Sequence, residues 1–450
     1  MTGRQMEQQL GKRIRHRDIF IFWSPLALMW IMMAVEQPAM AAVVARLPDA
    51  TANLAALGVA FSIALVIESP ILQLLSAATA LATDRLQYRR LLALMHILAA
   101  GLTTLHLLVA LTPLYAFVVG TVLGVPHQIV ELSRLAFLAM TPFAAAVGYR
   151  RLWQGVLIRY GHTAVIPVTM VARLLATAGL LTAGYITQFA PGAIVAAAAL
   201  IGGVIAGALA SLLFCLPVIR GEIPAAGPGA SALRWRTLLR FYVPLSLTSI
   251  IFLASQPLLT FGMARSEFPL QSLAVWPVIN GFMFLFNSLA ISYQEAVIAL
   301  LGRGDAGRPI LQRFTVALAC SIAALFLLIS ITPLSQLWFR GVAGLTDALL
   351  PFTHGPMRLL WIVPALVTAK SWFRGRLVHR RRTSALAKAV VIHSVFLFVC
   401  MLLGPILFRV PGTILAAVGL CGALGVEAGY LRLRIAAQER RPQGGSDASN

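Results

Sequence analysis

The sequence predicts an all-α polytopic membrane protein of about twelve transmembrane helices, built as two six-helix bundles. Of its 450 residues, 59% are hydrophobic and only 11% are charged, whereas soluble domains carry roughly 25% charged residues. So few charges cannot cover the surface of a water-soluble protein. Lipid must therefore cover most of the surface of this one. Long apolar runs recur along the whole chain, and the second half of the sequence repeats the first.

The apolar runs match the ~20 residues that a helix needs to cross a hydrocarbon core of ~30 Å. Six precede and six follow a Gly/Pro-rich segment, which predicts an N-terminal lobe at 19–219 and a C-terminal lobe at 239–436. A linker at 220–238, an N-terminal segment at 1–18 and a tail at 437–450 complete the division. The runs lie at 19–45, 54–82, 91–119, 132–158, 163–188, 192–219, 239–264, 270–301, 310–335, 350–373, 384–408 and 412–436.

The basic residues predict the orientation. The chain carries 36 Lys and Arg and a net charge of +21, and most of the arginines group around every second connection between spans. Such a bias marks cytoplasmic loops, so we expect both termini in the cytoplasm, an inner-membrane location and no nucleic-acid partner. Arg150, Arg151 and Lys370 are predicted to belong to these cytoplasmic loops. The intervening loops contain few basic residues, chiefly Arg46, Arg134, Arg265, Arg340 and Arg409.

The repeat is visible without gaps. A shift of 219 makes 13 of the 49 positions from 22 to 70 identical, Gln37-Pro38 with Gln256-Pro257 and Arg46 with Arg265 among them. Because each half has six spans, both enter the membrane in the same direction and are related by a pseudo-two-fold axis along the membrane normal. Two such bundles enclose a central cavity that rocking would open alternately to either side.

Ionisable residues inside spans are candidate functional groups, because each costs about 2.5–3.5 kcal/mol to insert. Glu36 and Gln37 precede Pro38 in the first span, and Gln256-Pro257 repeats the pattern in the seventh. Proline frees backbone carbonyls by removing a donor, which predicts hinges at both prolines. The groups there suit a cation or proton site; a structural kink with a satisfied carboxylate is the alternative.

Further candidates lie in later spans. The second span carries Glu68 and Ser69, and Asn287 lies at the corresponding place in the eighth. The fifth and eleventh spans pair Arg173 with His393, two basic groups that suit an anionic substrate. The alternative is that Glu36 or Glu68 neutralises the arginine within the bundle. The last span adds Glu427, which has no acidic counterpart in the first half.

No residue is assigned a catalytic, metal-binding or cofactor-binding role. The segment Gly302–Gly307 fits the spacing G-x-G-x-x-G, but no strand precedes it, and a dinucleotide site requires one. A membrane-embedded transferase would need an acidic or histidine cluster at one membrane face, and the loop aspartates occur singly. The sequence therefore indicates no enzyme.

Several segments resemble the progressive ankylosis protein family: Phe22-Trp-Ser-Pro-Leu, Glu36-Gln37, Leu57-Gly-Val-Ala-Phe-Ser62, Phe241-Tyr-Val-Pro-Leu-Ser-Leu247, and Val410-Pro-Gly-Thr-Ile-Leu-Ala-Ala-Val-Gly-Leu420 with Gly425-Val-Glu427. That family is similar to MATE-type exporters and to lipid or polysaccharide flippases, so the resemblance implies a MATE-like fold. It also implies export of citrate, malate, ATP or pyrophosphate-related anions. The family's Glu-Gln and last-span Glu match Glu36, Gln37 and Glu427, whereas Gln256 and His393 stand where it has arginine.

The sequence therefore predicts a monomeric alternating-access exporter of small organic anions, in contact with membrane lipid and coupled to H⁺ or Na⁺. Its cavity would be lined by spans one, two, seven and eight. A flippase for a lipid-linked or polyisoprenoid substrate and a drug/cation antiporter are the alternatives on the same fold. A net acidic cavity would favour the antiporter.

Overall fold

A computed structural model describes residues 15–225, 234–301, 307–379 and 383–439, and no others are discussed structurally below. Apart from one isolated parallel bridge between Glu267 and Pro411, the regular structure of these residues is helical. Most of the N-terminal segment and of the tail, the middle of the linker and the glycine motif at 302–306 lie outside the described residues, so the expectations about them stay predictions.

The first half begins with two long helices, the second of which passes through a 3₁₀ turn at Ser69–Gln73. Its helices are His16–Val44, Ala50–Glu68, Leu74–Leu81, Arg85–Leu111, Leu114–Ala116, His127–Ala139, Phe143–Arg159, Ile166–Thr187 and Gly192–Pro217, with π-helical turns at Phe117–Val122 and Val218–Glu222.

The second half repeats this order. Its helices are Trp235–Leu253, Ser255–Ala264, Pro269–Leu301, Arg308–Ile331, Leu334–Gln336, Pro351–Leu360, Val363–His379, Thr383–Leu407 and Gly412–Glu439, with a π-helical turn at Leu337–Val342. Both bounds of this turn follow those of Phe117–Val122 by 220 residues (337 − 117 and 342 − 122). The helix Val363–His379 follows Phe143–Arg159 by the same interval. The duplication seen in the sequence is therefore also present in the structure.

Eleven helices within the described residues are long and apolar enough to cross a membrane. The predicted tenth span instead consists of two helices, Pro351–Leu360 and Val363–His379, of 10 and 17 residues. The fourth span has the same construction, with a turn between Ala139 and Phe143. The tenth is less apolar because basic residues such as Lys370 and Arg374 lie inside it.

The two Gln-Pro sites differ in backbone structure. The seventh span divides at Ala254, just before Gln256-Pro257, whereas the first span stays one helix through Pro38. Pro38 packs against the eighth span, where a Cβ added to Gly281 would lie 3.3 Å from its Cδ. A helix break therefore accompanies the predicted hinge at Pro257, whereas the predicted hinge at Pro38 lies in a continuous helix.

The lobes meet through the four spans expected to line the cavity. The first span packs on the eighth, and the second packs on the seventh and eighth. Trp23 donates to Ser292 Oγ at 2.9 Å, and Tyr242 Oη donates to the Pro70 carbonyl at 2.7 Å. The 3₁₀ turn that contains Pro70 thus contributes an acceptor to the interface.

The outer faces of the bundles are apolar. Leu175, Ile186, Leu213 and Ile406 are each at least 68% exposed, and exposed apolar surface on this scale marks a membrane or protein contact. Together with the apolar spans, these faces indicate a multi-pass membrane protein.

Candidate functional site

A carboxylate–guanidinium pair lies inside the N-terminal lobe. Arg173 on the fifth span donates from Nε to Glu36 Oε1 at 3.0 Å and from Nη2 to Oε2. Thr177, one turn further along, donates to the same Oε1 at 2.9 Å. The Glu36 side chain is 6% exposed and that of Arg173 is 11% exposed. The structure therefore places Arg173 against Glu36, which is the second of the two alternatives drawn from the sequence.

A second carboxylate and two more arginines extend this pair into a cluster. Glu68 is 3% exposed, its Oε2 has no hydrogen-bond partner, and it interacts electrostatically with Arg150, Arg151 and Arg173. Arg150 is 3% exposed, and its Nη1 lies 3.9 Å from the Met170 sulfur. A guanidinium beside a thioether is poorly compensated, because sulfur is a weak acceptor.

The C-terminal lobe contains a cluster of the same kind around Glu427, which is 1% exposed. Lys370 Nζ donates to Glu427 Oε2 at 3.4 Å, and His393 Nδ1 lies 3.1 Å from the same oxygen. Arg374 Nη1 lies 3.8 Å from the other oxygen. The Phe252 ring, on the seventh span, lies 5.6 Å from Lys370 Nζ.

The placement of three basic residues corrects the sequence analysis. Arg150, Arg151 and Lys370 were counted with cytoplasmic loops, but they lie in the helices Phe143–Arg159 and Val363–His379, and Arg150 and Lys370 are buried. A signal was available, because all three fall inside the predicted apolar runs. Charges inside a span are costly and mark functional sites, so the position of these residues inside the apolar runs predicts that they lie within the bundle.

The two clusters occupy equivalent positions in the repeat. A shift of 220 pairs Arg150 with Lys370 and Arg173 with His393. The carboxylates do not correspond: with the shift of 219 that applies to the first span, Ser255 stands at the place of Glu36, and with the shift of 220, Gly207 stands at that of Glu427. A Cβ on Gly207 would lie 3.3 Å from Arg173 Cβ and 3.5 Å from Arg150 Cδ. The N-terminal lobe thus presents carboxylates from its first and second spans to these basic positions, whereas the C-terminal lobe presents one from its last span.

The remaining predicted residues take no part in the side-chain contacts described for either cluster. Gln37 and Gln256 are half-buried. Ser69 is fully buried and donates to the Val66 carbonyl at 2.6 Å. Asn287 is 8% exposed, and its Oδ1 has no hydrogen-bond partner. The structure therefore brings Glu36, Glu68 and Arg173 together in one lobe and His393 and Glu427 together in the other.

Both clusters contain more basic than acidic groups. Arg150, Arg151 and Arg173 face Glu36 and Glu68 in one lobe, whereas Glu427 meets Lys370, Arg374 and His393 in the other. Buried charges are stable only when paired and hydrogen-bonded. Yet Nε of Arg150, Arg151 and Arg374 has no partner. The arrangement is chemically suited to attract an anion and to release it when a carboxylate competes.

No family model matches this chain, and no curated protein matches it. Solved structures do. The chain is similar to an inward-facing multidrug resistance MATE family transporter of the MOP superfamily, with a TM-score of 0.71 and 16% identity, covering 93% of this chain and 99% of that one.

Two further structures belong to proteins of different description. A MOP superfamily transporter from Pyrococcus furiosus Vc1 (DSM3638) gives a TM-score of 0.67 at 16% identity, with coverage of 98% and 99%. The lipid II flippase MurJ, in an inward closed conformation, gives 0.67 at 12% identity, with coverage of 92% and 87%. At these identities the similarity establishes the fold: the chain has the all-helical, two-lobed architecture of the MATE and MOP superfamily transporters.

Proposed function

We propose that this protein is an alternating-access membrane transporter that exports small organic anions such as citrate, malate, ATP or pyrophosphate-related compounds. The observation that carries the proposal is that the cluster of each lobe contains more basic than acidic groups, and that two basic positions of one cluster correspond to two of the other in the repeat. The resemblance to the progressive ankylosis protein family supports the same substrate class. We also propose lobes at 19–219 and 239–436 joined by a cytoplasmic linker, both termini in the cytoplasm, and a monomer in the inner membrane.

The Glu36–Arg173 pair supplies a coupling mechanism. While Glu36 is ionised, it occupies two of the donors of Arg173. Protonation of Glu36, or binding of Na⁺ by Glu36, would remove this competition and make the guanidinium available. An anion would then bind to the Arg173 donors that Glu36 no longer occupies. Dissociation of the anion would let the Glu36–Arg173 ion pair form again. The coupling ion and the anion would thus be bound together and would cross in the same direction, so export would follow the outward gradient of the anion and not an inward gradient of the ion.

A lipid-linked flippase is the second candidate, because the lipid II flippase MurJ shares the fold. Cationic residues along an opening towards the bilayer would favour it. A drug/cation antiporter is less favoured, because the buried clusters of this chain are basic rather than acidic. No three His, Cys, Asp or Glu residues of the described segments are grouped so as to hold a metal ion.

Uptake into proteoliposomes tests the proposal. We expect saturable uptake of labelled citrate or ATP by the reconstituted protein, stimulated by a proton or sodium gradient, and no uptake by empty liposomes. An organic cation serves as the control substrate. If folded protein moves neither anion but scrambles a labelled polyisoprenoid-linked lipid, the flippase replaces the exporter. Gradient-driven transport of the cation alone would identify an antiporter.

A further inference from the structure

Arg46 joins the two lobes immediately after the first span ends. Its Nη2 donates to the carbonyl of Gly341 in the other lobe at 2.6 Å, and its Nη1 donates to the Ala42 carbonyl of its own helix at 2.7 Å. Gly341 lies in the last turn of the π-helical segment Leu337–Val342. Terminal carbonyls of a helical segment lack partners within it, so the guanidinium satisfies an acceptor that would otherwise depend on water.

Arg265 makes the reciprocal connection after the seventh span. Its Nη2 donates to the Val122 carbonyl at 2.7 Å, and its Nη1 donates to the Leu123 carbonyl. These acceptors lie at the end of the first-half π-helical turn, Phe117–Val122. The guanidinium also lies 3.9 Å from the centroid of the Phe261 ring, on its own helix.

The two connections are related by the repeat. A shift of 219 places Arg46 on Arg265 and Ala42 on Phe261. The shift of 220 that relates the two π-helical turns places Thr121, whose carbonyl accepts from Arg265 Nη2 at 3.4 Å, on Gly341. Each acceptor loop then turns at a glycine with positive φ, +73° at 124 and +72° at 344. A Cβ on either glycine would lie within 2.9 Å of the facing guanidinium. Glycine is therefore required twice over, for its backbone conformation and for the approach of the arginine.

The hydrogen-bond partners of Arg46 and Arg265 differ from those of the other basic residues on the same side of the protein. Arg46 and Arg265 are among the few basic residues in the loops that alternate with the arginine-rich loops. Two others bind within their own lobe: Arg134 contacts Glu131 and the Ala110 carbonyl, and Arg340 contacts Asp347. Arg46 instead donates one hydrogen bond, and Arg265 three, to carbonyls of the opposite lobe, which no membrane-orientation role requires.

We propose that Arg46 and Arg265 form a reciprocal lock that holds the lobes together where the first and seventh spans end, and that both must release before the cavity opens on that side. The inference rests on the alternating-access part of the proposed function, but not on the substrate. A guanidinium suits this role because it spans two carbonyls at once, yet its hydrogen bonds exchange readily with water once the loops separate.

Distances between spin labels test the lock without transport. Ala116 and Gln336 are exposed, occupy equivalent positions in the two lobes, and adjoin the two π-helical turns. Both would be changed to cysteine and labelled, with the four native cysteines replaced, and measured by double electron–electron resonance in lipid nanodiscs. Hydrogen bonds to charged groups are strong enough that each arginine lost should raise the open-to-closed ratio about tenfold or more. The double variant R46A/R265A should therefore show mainly the longer distance.

The matched control is Arg134→Ala, which removes an arginine from the same side whose contacts stay within one lobe. Its distance distribution should equal that of the parent, and R46K/R265K should lie between parent and double alanine variant because lysine lacks the fork. Thermal unfolding establishes that each variant is folded. A double alanine variant that is folded and keeps the parental distribution overturns the lock. Because the distance measurement uses no substrate, it can support the lock even if citrate and ATP uptake are not observed. Likewise, uptake can be observed even if the distances contradict the lock.

Discussion

Glu36→Gln is expected to reduce gradient-driven citrate or ATP uptake at least about tenfold and to lower thermal stability, because removing one partner of a buried ion pair costs about 3–5 kcal/mol. Glutamine keeps the shape and an acceptor for Thr177, but it cannot ionise and so leaves Arg173 without its counter-charge. Initial uptake rates into proteoliposomes, with and without a proton gradient, measure the first effect, and detergent-solubilised melting curves measure the second.

Glu131→Gln provides the matched control for this substitution. Glu131 also pairs with an arginine, three residues along its own helix, but its side chain is 66% exposed. Exposed pairs contribute about 0–1 kcal/mol, so uptake and melting temperature should remain near the parental values. A Glu36→Gln protein that transports at the parental rate under every gradient would remove Glu36 from the coupling mechanism.

The double substitution E36S/G207E should restore much of the stability that E36S alone removes. It gives the N-terminal lobe the arrangement of the C-terminal lobe, where serine stands at 255 and the carboxylate at 427. A side chain at 207 begins 3.3 Å from Arg173 Cβ and 3.5 Å from Arg150 Cδ, so a glutamate there would extend alongside both arginine side chains once they shift by a few tenths of an ångström.

Melting temperatures of the parent, both single variants and the double variant measure the coupling between the two positions. Residues that share a partner are expected to depart from additivity by about 0.5–3 kcal/mol. G207E alone adds a third carboxylate to the cluster, and G207Q controls for the size of the new side chain without its charge. Strictly additive effects in E36S/G207E would mean that the two lobes do not use equivalent charge sites.

Much of the fold could be predicted from the sequence because the membrane imposes a simple rule. Every backbone polar group must be satisfied within the spanning segment, so length and apolarity alone indicate helices. The repeat then fixed the two-lobed arrangement. The tenth span was the hardest to anticipate, since a span made of two short helices around a turn gives a weak apolar signal, especially where Lys370 lies inside it.

The site was predictable only in part. Glu36, Arg173, His393 and Glu427 stood out because charge within a span is rare, and the structure brings them together in pairs. Which acid meets which base depends on helix rotation and packing, which periodicity does not give. The π-helical turns and their contacts with arginine cannot be predicted from the sequence for the same reason. The sequence does show that Arg46 and Arg265 correspond in the repeat.

The central claim is that the buried basic clusters bind an anion, and ligand-dependent melting of the purified parent protein tests it most directly. Melting would be measured with citrate, ATP and an organic cation, each at several concentrations and at equal ionic strength. A ligand that binds the folded state raises the melting temperature as its concentration rises. We expect citrate or ATP to do so, with the effect lost in a folded Arg150→Met variant. Stabilisation by the cation alone, with none from either anion, would contradict the account.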